Sequence, residues 1–259
     1  MQPKLIDTHC HIHESSYPLA LDEVMTRARE AGVEQVVCVG TNVQSSRDAV
    51  QFAHTHEYAF ATIGVHPHDT KDGIEGIAEM ARDAQVVAIG EVGLDYFYTH
   101  SPPEVQIHAF EQQLQIAQDR ALPVVFHVRE AFDDFWPIVD NFPGLKGGVL
   151  HSFTGDMVDL EEGLAKGLYI GVNGISTFTK DSRQKDMFMA IPLDKLVLET
   201  DAPFLTPAPF RGKVNEPSMV REIAQYHAIS RGIPYEVVAH RTTANALQLF
   251  ARVYALNTT

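Results

Sequence analysis

The 259-residue chain is poor in cysteine, in tryptophan, in positive charge and in long apolar runs. Its two cysteines, Cys10 and Cys38, are too few for the disulfide framework of a secreted domain and suit a reducing compartment. No apolar run approaches the roughly 18 residues of a membrane span, so no membrane partner is expected. The opening Met1-Gln2-Pro3-Lys4-Leu5-Ile6-Asp7 lacks the apolar core of a signal peptide, and the expected location is the cytoplasm. Lys and Arg number 20 against 34 Asp and Glu, a formal net charge of −14. A protein that coats long nucleic acid by backbone charge needs a broad basic surface, so that class is excluded. A metal site that takes one phosphate is not, because the ions bring the positive charge themselves.

What is present is an ordinary globular balance, 45% apolar and 21% charged, which excludes disordered, collagen-like and coiled-coil chains. A chain of this length buries most of its unfolded surface without staples and is expected to form one domain, residues 1–259. A short apolar run followed by an amphipathic stretch recurs along it. The spacing predicts eight strands, at 5–9, 36–40, 60–64, 86–91, 124–127, 148–151, 168–172 and 196–199. Helices are expected at 21–31, at 45–56 with Ser45 as N-cap, after Pro103, at 181–190, at 218–230 and at 235–254. No G-x-G-x-x-G follows the first strand, which argues against a Rossmann-like sheet. Eight strands alternating with helices over about 250 residues fit an α/β fold, a single (β/α)8 TIM barrel.

Active sites of such barrels lie at the C-terminal ends of the strands. Of the 13 histidines, His9 and His11 close the first strand, His66 and His68 follow the third, His127 ends the fifth and His151 the sixth. Glu91 ends the fourth strand, and Asp201 follows the eighth. A buried imidazole or carboxylate without a partner costs several kcal/mol, and six such strand ends converging on one mouth are best satisfied by metal. His9 and His11 are two residues apart, so alternation puts both on one face and turns Cys10 towards the helices.

The set exceeds the needs of one four-coordinate zinc. Two ions about 3.5–4 Å apart use it fully, and coordination lowers the pKa of a water from 15.7 to roughly 7. The expected assignment is His9, His11 and Asp201 on one ion, His127 and His151 on the other, and Glu91 bridging. Asp201 would also orient the attacking water and take its proton, which makes it and Glu91 the catalytic carboxylates. Imidazoles suit zinc, whereas carboxylates and phosphates suit magnesium or manganese, so the metal stays open.

The motifs Asp7-Thr8-His9-Cys10-His11, Gly64-Val65-His66-Pro67-His68, Ile89-Gly90-Glu91-Val92-Gly93-Leu94-Asp95-Tyr96, Leu150-His151-Ser152-Phe153-Thr154-Gly155 and Leu198-Glu199-Thr200-Asp201-Ala202-Pro203 run in order along essentially the whole chain. Together they resemble the TatD family of metal-dependent deoxyribonucleases. The resemblance implies an amidohydrolase-superfamily barrel, divalent ions on the six residues above, and 3′-end hydrolysis of phosphodiesters in DNA. The expected partner is DNA with single-stranded ends, handled by a monomer. The chain departs from the family pattern at Val214, where a second basic residue is frequent.

Around this centre, His66 and His68 are candidates to position substrate or assist the leaving group. Arg129, Arg211 and Lys213 lie on loops at the catalytic face and can hold a phosphate. Phe204 and Phe210 can stack on a base. Glu199 is expected to support Asp201 or to sit in the core. The alternative is an amide or ester hydrolase acting on a small carbonyl substrate, since superfamily barrels host both chemistries. The fourth strand ends in Glu91 rather than a carboxylatable lysine, which favours the TatD-like reading.

Overall fold

The computed structural model describes residues 3–98 and 100–251. The strands are β1 (Leu5–Cys10), β2 (Val33–Val39), β3 (Ala59–Ile63), β4 (Val86–Asp95), β5 (Val124–Arg129), β6 (Gly148–Leu150), β7 (Tyr169–Val172) and β8 (Leu196–Leu198). They pair in parallel and in chain order from β1 to β8. A bridge between Cys10 and Ala202, with the His11 amide donating to the Ala202 carbonyl at 2.8 Å, draws the chain beyond β8 back to β1. The result is the expected nearly closed (β/α)8 barrel. Most strand residues are buried and many are β-branched, as strands covered on both faces require.

The helices are α1 (Leu21–Glu30), α2 (Val43–Thr55), α3 (Ile77–Met80), α4 (Pro103–Arg120), α5 (Phe132–Asp140), α6 (Met157–Ala165), α7 (Ile175–Phe178), α8 (Ser182–Ala190), α9 (Val220–Arg231) and α10 (Tyr235–Leu249). The N-cap of α2 is Asn42, not Ser45: the Asn42 side chain accepts from the Ser45 amide at 2.9 Å. Ser45 instead sits in the first turn, where the Asn42 carboxamide satisfies its otherwise orphaned N–H. The helix expected from 218 starts as a 3-10 turn, Pro217–Met219, before α9. The expected end at 254 lies outside the described residues. No described helix is long and apolar enough to cross a membrane.

One apolar cluster takes residues from all eight strands, including Ile6, Val37, Phe60, Val125, Val149 and Val197. Ala246, Leu249 and Phe250, at the end of α10, join it and plug the lower opening of the barrel. A larger cluster fills the layer between strands and helices. Cys10 and Cys38 lie there as buried free thiols.

Two breaks of register aim side chains at the mouth. The β1–β2 ladder shifts between Asp7 and Cys10, and the β4–β5 ladder shifts between Ile89 and Val92. Such irregularities re-aim strand side chains next to functional sites. In β4 the shift falls at Gly90, whose φ of +143° favours glycine. A Cβ at Gly90 would also collide with the Val125 carbonyl oxygen.

Candidate metal centre

Two buried glutamines of α4 hold the loops from which the site is built. Gln113 accepts from the Val65 amide at 2.7 Å and donates to its carbonyl at 3.1 Å, fixing the chain after β3. Gln106 brackets Asp95 in the same way, at 2.9 and 3.0 Å, and fixes the end of β4. Non-glycine residues with left-handed backbones stand just past three strand ends: Glu130 (φ +52°), Ser152 (+46°) and Asp201 (+59°). Backbones of this kind cost energy and cluster where function needs them.

His9 Nε2 lies 3.3 Å from His11 Nε2, 3.5 Å from Glu91 Oε2 and 3.7 Å from Asp201 Oδ1. His11 Nε2 is 3.3 Å from Asp201 Oδ1. Donor atoms about 2.1 Å from one ion stand about 3.4 Å apart at a tetrahedral angle, so this set fits a divalent cation. A carbonyl can only accept, so the Val39 oxygen, 2.9 Å from His11 Nδ1, fixes the proton there and leaves Nε2 free to ligate. His9, His11 and Glu91 also offer donor atoms mutually within 4.8 Å.

The other oxygen of Glu91 faces a second group. Glu91 Oε1 is 2.7 Å from His127 Nδ1, 3.6 Å from His151 Nε2 and 3.5 Å from His66 Nε2. Both nitrogens of His127 face carboxylates, Nε2 donating to Asp95 Oδ2 at 3.0 Å and Nδ1 to Glu91 Oε1 at 2.7 Å, which raises its pKa against burial. Asp95 keeps the proton on Nε2, so Nδ1 is the nitrogen that can give its proton up and ligate. His66 is turned the opposite way. Its Nδ1 accepts from the His68 amide at 3.1 Å, so Nε2 carries the proton and offers no lone pair. Glu199 is buried 3.0 Å from His151 Nδ1 and accepts from the Ser152 amide at 2.7 Å. It supports His151 rather than Asp201.

Burial opposes ionised Glu91, but His66, His151, His127 and His9 outweigh it and hold the carboxyl well below its usual range. Asp201 is lowered against burial by His11, His151 and His9. Burial pushes the His9 imidazole down, with the neighbouring His151 adding to it. For His11 burial is outweighed by Asp201, Glu91 and Glu14, and the pKa rises to about 9. Glu199 and Glu91 outweigh burial at His151 and raise it to about 10. Without metal, ionised carboxylates and protonated imidazoles therefore balance one another. The site is built around positive charge.

Above the cluster opens a cavity of about 780 Å3, lined by His66, His68, Tyr98, Arg129 and Phe204 among others. Of the three candidate phosphate cations, Arg129 lines it, its guanidinium 3.8 Å from the centre of the Phe97 ring. Arg211 donates to the Thr206 carbonyl at 2.8 Å and lies on Phe178, and Lys213 lines a separate depression beside α1 together with Phe210. Neither is among the lining residues of the central cavity. Their loop is tied down elsewhere: Asn215 Nδ2 donates to the Thr200 and Phe204 carbonyls, and Glu216 binds Arg27 at 2.6–3.0 Å. His68 does reach the cluster, donating from Nε2 to Asp95 Oδ2 at 3.0 Å.

The model of the family described as TatD related DNase matches residues 6–251. The chain belongs to that family. A relative from Erwinia tasmaniensis named as a 3′-5′ ssDNA/RNA exonuclease TatD is 38% identical over 257 residues, 95% of this chain and 99% of that protein. A Bacillus subtilis relative described as an uncharacterized metal-dependent hydrolase, YabD, is 37% identical over 251 residues, covering 95% and 98%. The crystal structure of the Escherichia coli TatD homologue YJJV superposes with a TM-score of 0.86 at 30% identity, covering 95% of this chain and 98% of that one. The TatD chain described here is thus a metal-dependent hydrolase of phosphodiester bonds, and the carbonyl-substrate alternative gains nothing from these comparisons.

Proposed function

We propose that this TatD protein is a deoxyribonuclease that removes nucleotides from the 3′ end of single-stranded DNA with two divalent ions. The observation that carries the reading is Glu91, whose Oε2 faces His9 while Oε1 faces His127 and His151. A carboxylate split in this way between two imidazole groups suits a bridge. His9, His11 and Asp201 would hold one ion, and His127 and His151 the other, as the sequence suggested. When bound, the ions neutralise phosphate charge and lower the pKa of a water.

The remaining chemistry belongs to the chain. Asp201 Oδ1 faces His9 and His11, and its carboxyl is held ionised, so it can accept the proton of the attacking water. His66 presents Nε2–H to the cluster and can donate a hydrogen bond to a phosphate oxygen or to the leaving group. Arg129 adds a cation at the rim of the cavity. The net charge of −14 favours a soluble monomer, and the low cysteine content suits the cytoplasm.

The test is degradation of an end-labelled single-stranded oligonucleotide by metal-stripped protein, with and without magnesium or manganese. Stepwise shortening from the 3′ end is expected only with metal, and Glu91→Ala should abolish it while the far-UV spectrum is kept. Undiminished cleavage by Glu91→Ala would overturn the assignment of the site.

A further inference from the structure

Phe97, Tyr98 and Phe204 are the exposed aromatic side chains among the described residues, with 47%, 42% and 60% of their surface open. All three stand at the mouth of the barrel, and Tyr98 and Phe204 line the same cavity as Glu91 and Asp201. Their backbones are fixed, and their rings are partly packed: Tyr98 lies edge-on to Phe97 at 4.7 Å and beside His100 at 5.7 Å between ring centres. The Phe97 and Tyr98 amides both donate to Asp95 Oδ1 at 3.0 Å. The Phe204 amide donates to the Asp201 carbonyl at 2.8 Å, and its own carbonyl accepts from Asn215 Nδ2 at 2.5 Å. Rings held in this way lose little freedom on binding a flat ligand.

Their places in the barrel are as telling as their exposure. Tyr98 follows β4 and Phe204 follows β8, four strands apart in the eight-stranded order and so across the mouth from each other. Tyr98 packs edge-on to His68 at 5.3 Å between ring centres, and Phe204 edge-on to His11 at 6.4 Å. The cluster of imidazoles and carboxylates lies between the two rings. Arg129 backs the Phe97 and Tyr98 rings at 3.8 and 4.9 Å and braces that wall.

A phosphodiester seated on the cluster carries one nucleoside on either side. Resting on the nuclease reading above, we propose that Tyr98 and Phe204 each stack one of the two bases that flank the scissile phosphate. The two bases are then drawn apart from each other, which a paired or stacked end resists. Selection for an unpaired end comes from these rings, because every base offers a π-face whatever its sequence.

The experiment compares manganese-loaded wild type, Phe204→Ala and Tyr98→Ala on oligothymidylates carrying an abasic nucleotide at the last or the penultimate 3′ position. In the wild type each abasic position should lower kcat/KM by about 5- to 150-fold, the range expected for one stacked base. In each alanine variant one of the two penalties should vanish while the other persists, and tryptophan at the same position should restore it. Which ring answers to which position then reports the direction of the strand. Wild-type protein that removes abasic and ordinary ends equally fast overturns the stacking and leaves the nuclease reading standing. Variants that slow every substrate by one common factor overturn it as well, since that marks a structural role. Absence of any metal-dependent cleavage by the wild type overturns the nuclease reading, and this proposal falls with it.

Discussion

Replacing Asp95 by Asn keeps the volume of a buried side chain and inverts what it offers to two imidazoles. Asp95 is 1% exposed, and it accepts four hydrogen bonds, all at 3.0 Å. Oδ1 takes the Phe97 and Tyr98 amides, and Oδ2 takes Nε2 of His68 and of His127. An Asn oxygen would stay with the two amides, which have only protons to offer, so the NH2 would face the histidines. His127 would then be stable with its proton on Nδ1, the nitrogen that faces Glu91, and could no longer ligate there. Loss of such an orienting partner costs about 10- to 100-fold in metal affinity or activity, or about 1.4–2.7 kcal/mol. Because His9, His11 and Asp201 make no hydrogen bond to Asp95, the loss should fall on the ion proposed for His127 and His151 and spare the other. Manganese titrated against a chromophoric chelator should show the second equivalent weakened and the first kept, with kcat/KM for an oligonucleotide falling in parallel. Asp95→Asn protein whose two manganese affinities lie within twofold of wild type would refute the reasoning.

Metal loading should release protons. His11 and His151, held near 9 and 10, are charged at pH 7 and must be neutral to ligate, so affinity should rise with pH up to about 9 and level off above about 10. Titration with manganese in weak buffer checks this, and affinity that does not change between pH 6 and 8 counts against it. Oligonucleotide binding should depend weakly on salt, with log K against log[salt] sloping by about −1 to −2, since single-strand slopes run near −0.7 per phosphate contacted. Arg129→Gln should flatten that slope by about 0.7, and a slope several times steeper would show phosphate contacts beyond the cavity.

The strands were legible because each is a short apolar run, and five of the eight are closed by His or Glu, which a buried parallel strand rarely tolerates without purpose. For the same reason the sequence pointed to the six residues that the fold gathers at the mouth. Asp95 was missed as a partner of His127 because the fourth strand was expected to end at Glu91. In fact β4 runs on to Asp95, and 91, 93 and 95 alternate onto one face. That period-two spacing was the available signal. Gln106 and Gln113, one heptad apart on α4, resemble solvent-facing residues, and only the tertiary structure shows their amides turned inward onto Asp95 and Val65. Glu199, expected either to support Asp201 or to sit in the core, is buried beside His151, because the left-handed turn at Asp201 carries the Asp201 side chain towards His9 and His11. The loop cations Arg211 and Lys213 followed the catalytic face in sequence. Ties from Asn215 and Glu216 fold their segment back towards α1.

The charge of the chain bears on how it can handle a polyanion at all. With 34 acidic against 20 basic side chains, the surface repels a long phosphate backbone, and Arg129 is the Lys or Arg side chain that lines the cavity. Beyond Arg129, the positive charge of the cavity lies on its floor, where protons on His11 and His151 hold the place that cations would take. One phosphate can be neutralised there, but its neighbours along the strand meet no comparable partner. Affinity for the rest of the substrate must therefore come from groups without charge, and the mouth supplies them as exposed rings on fixed backbones. On the proposed reading, this arrangement favours a strand that enters by its end, because the cavity offers its neighbouring phosphates only Arg129. On that reading the acidic surface and the aromatic rim serve one preference, for ends over lengths of chain.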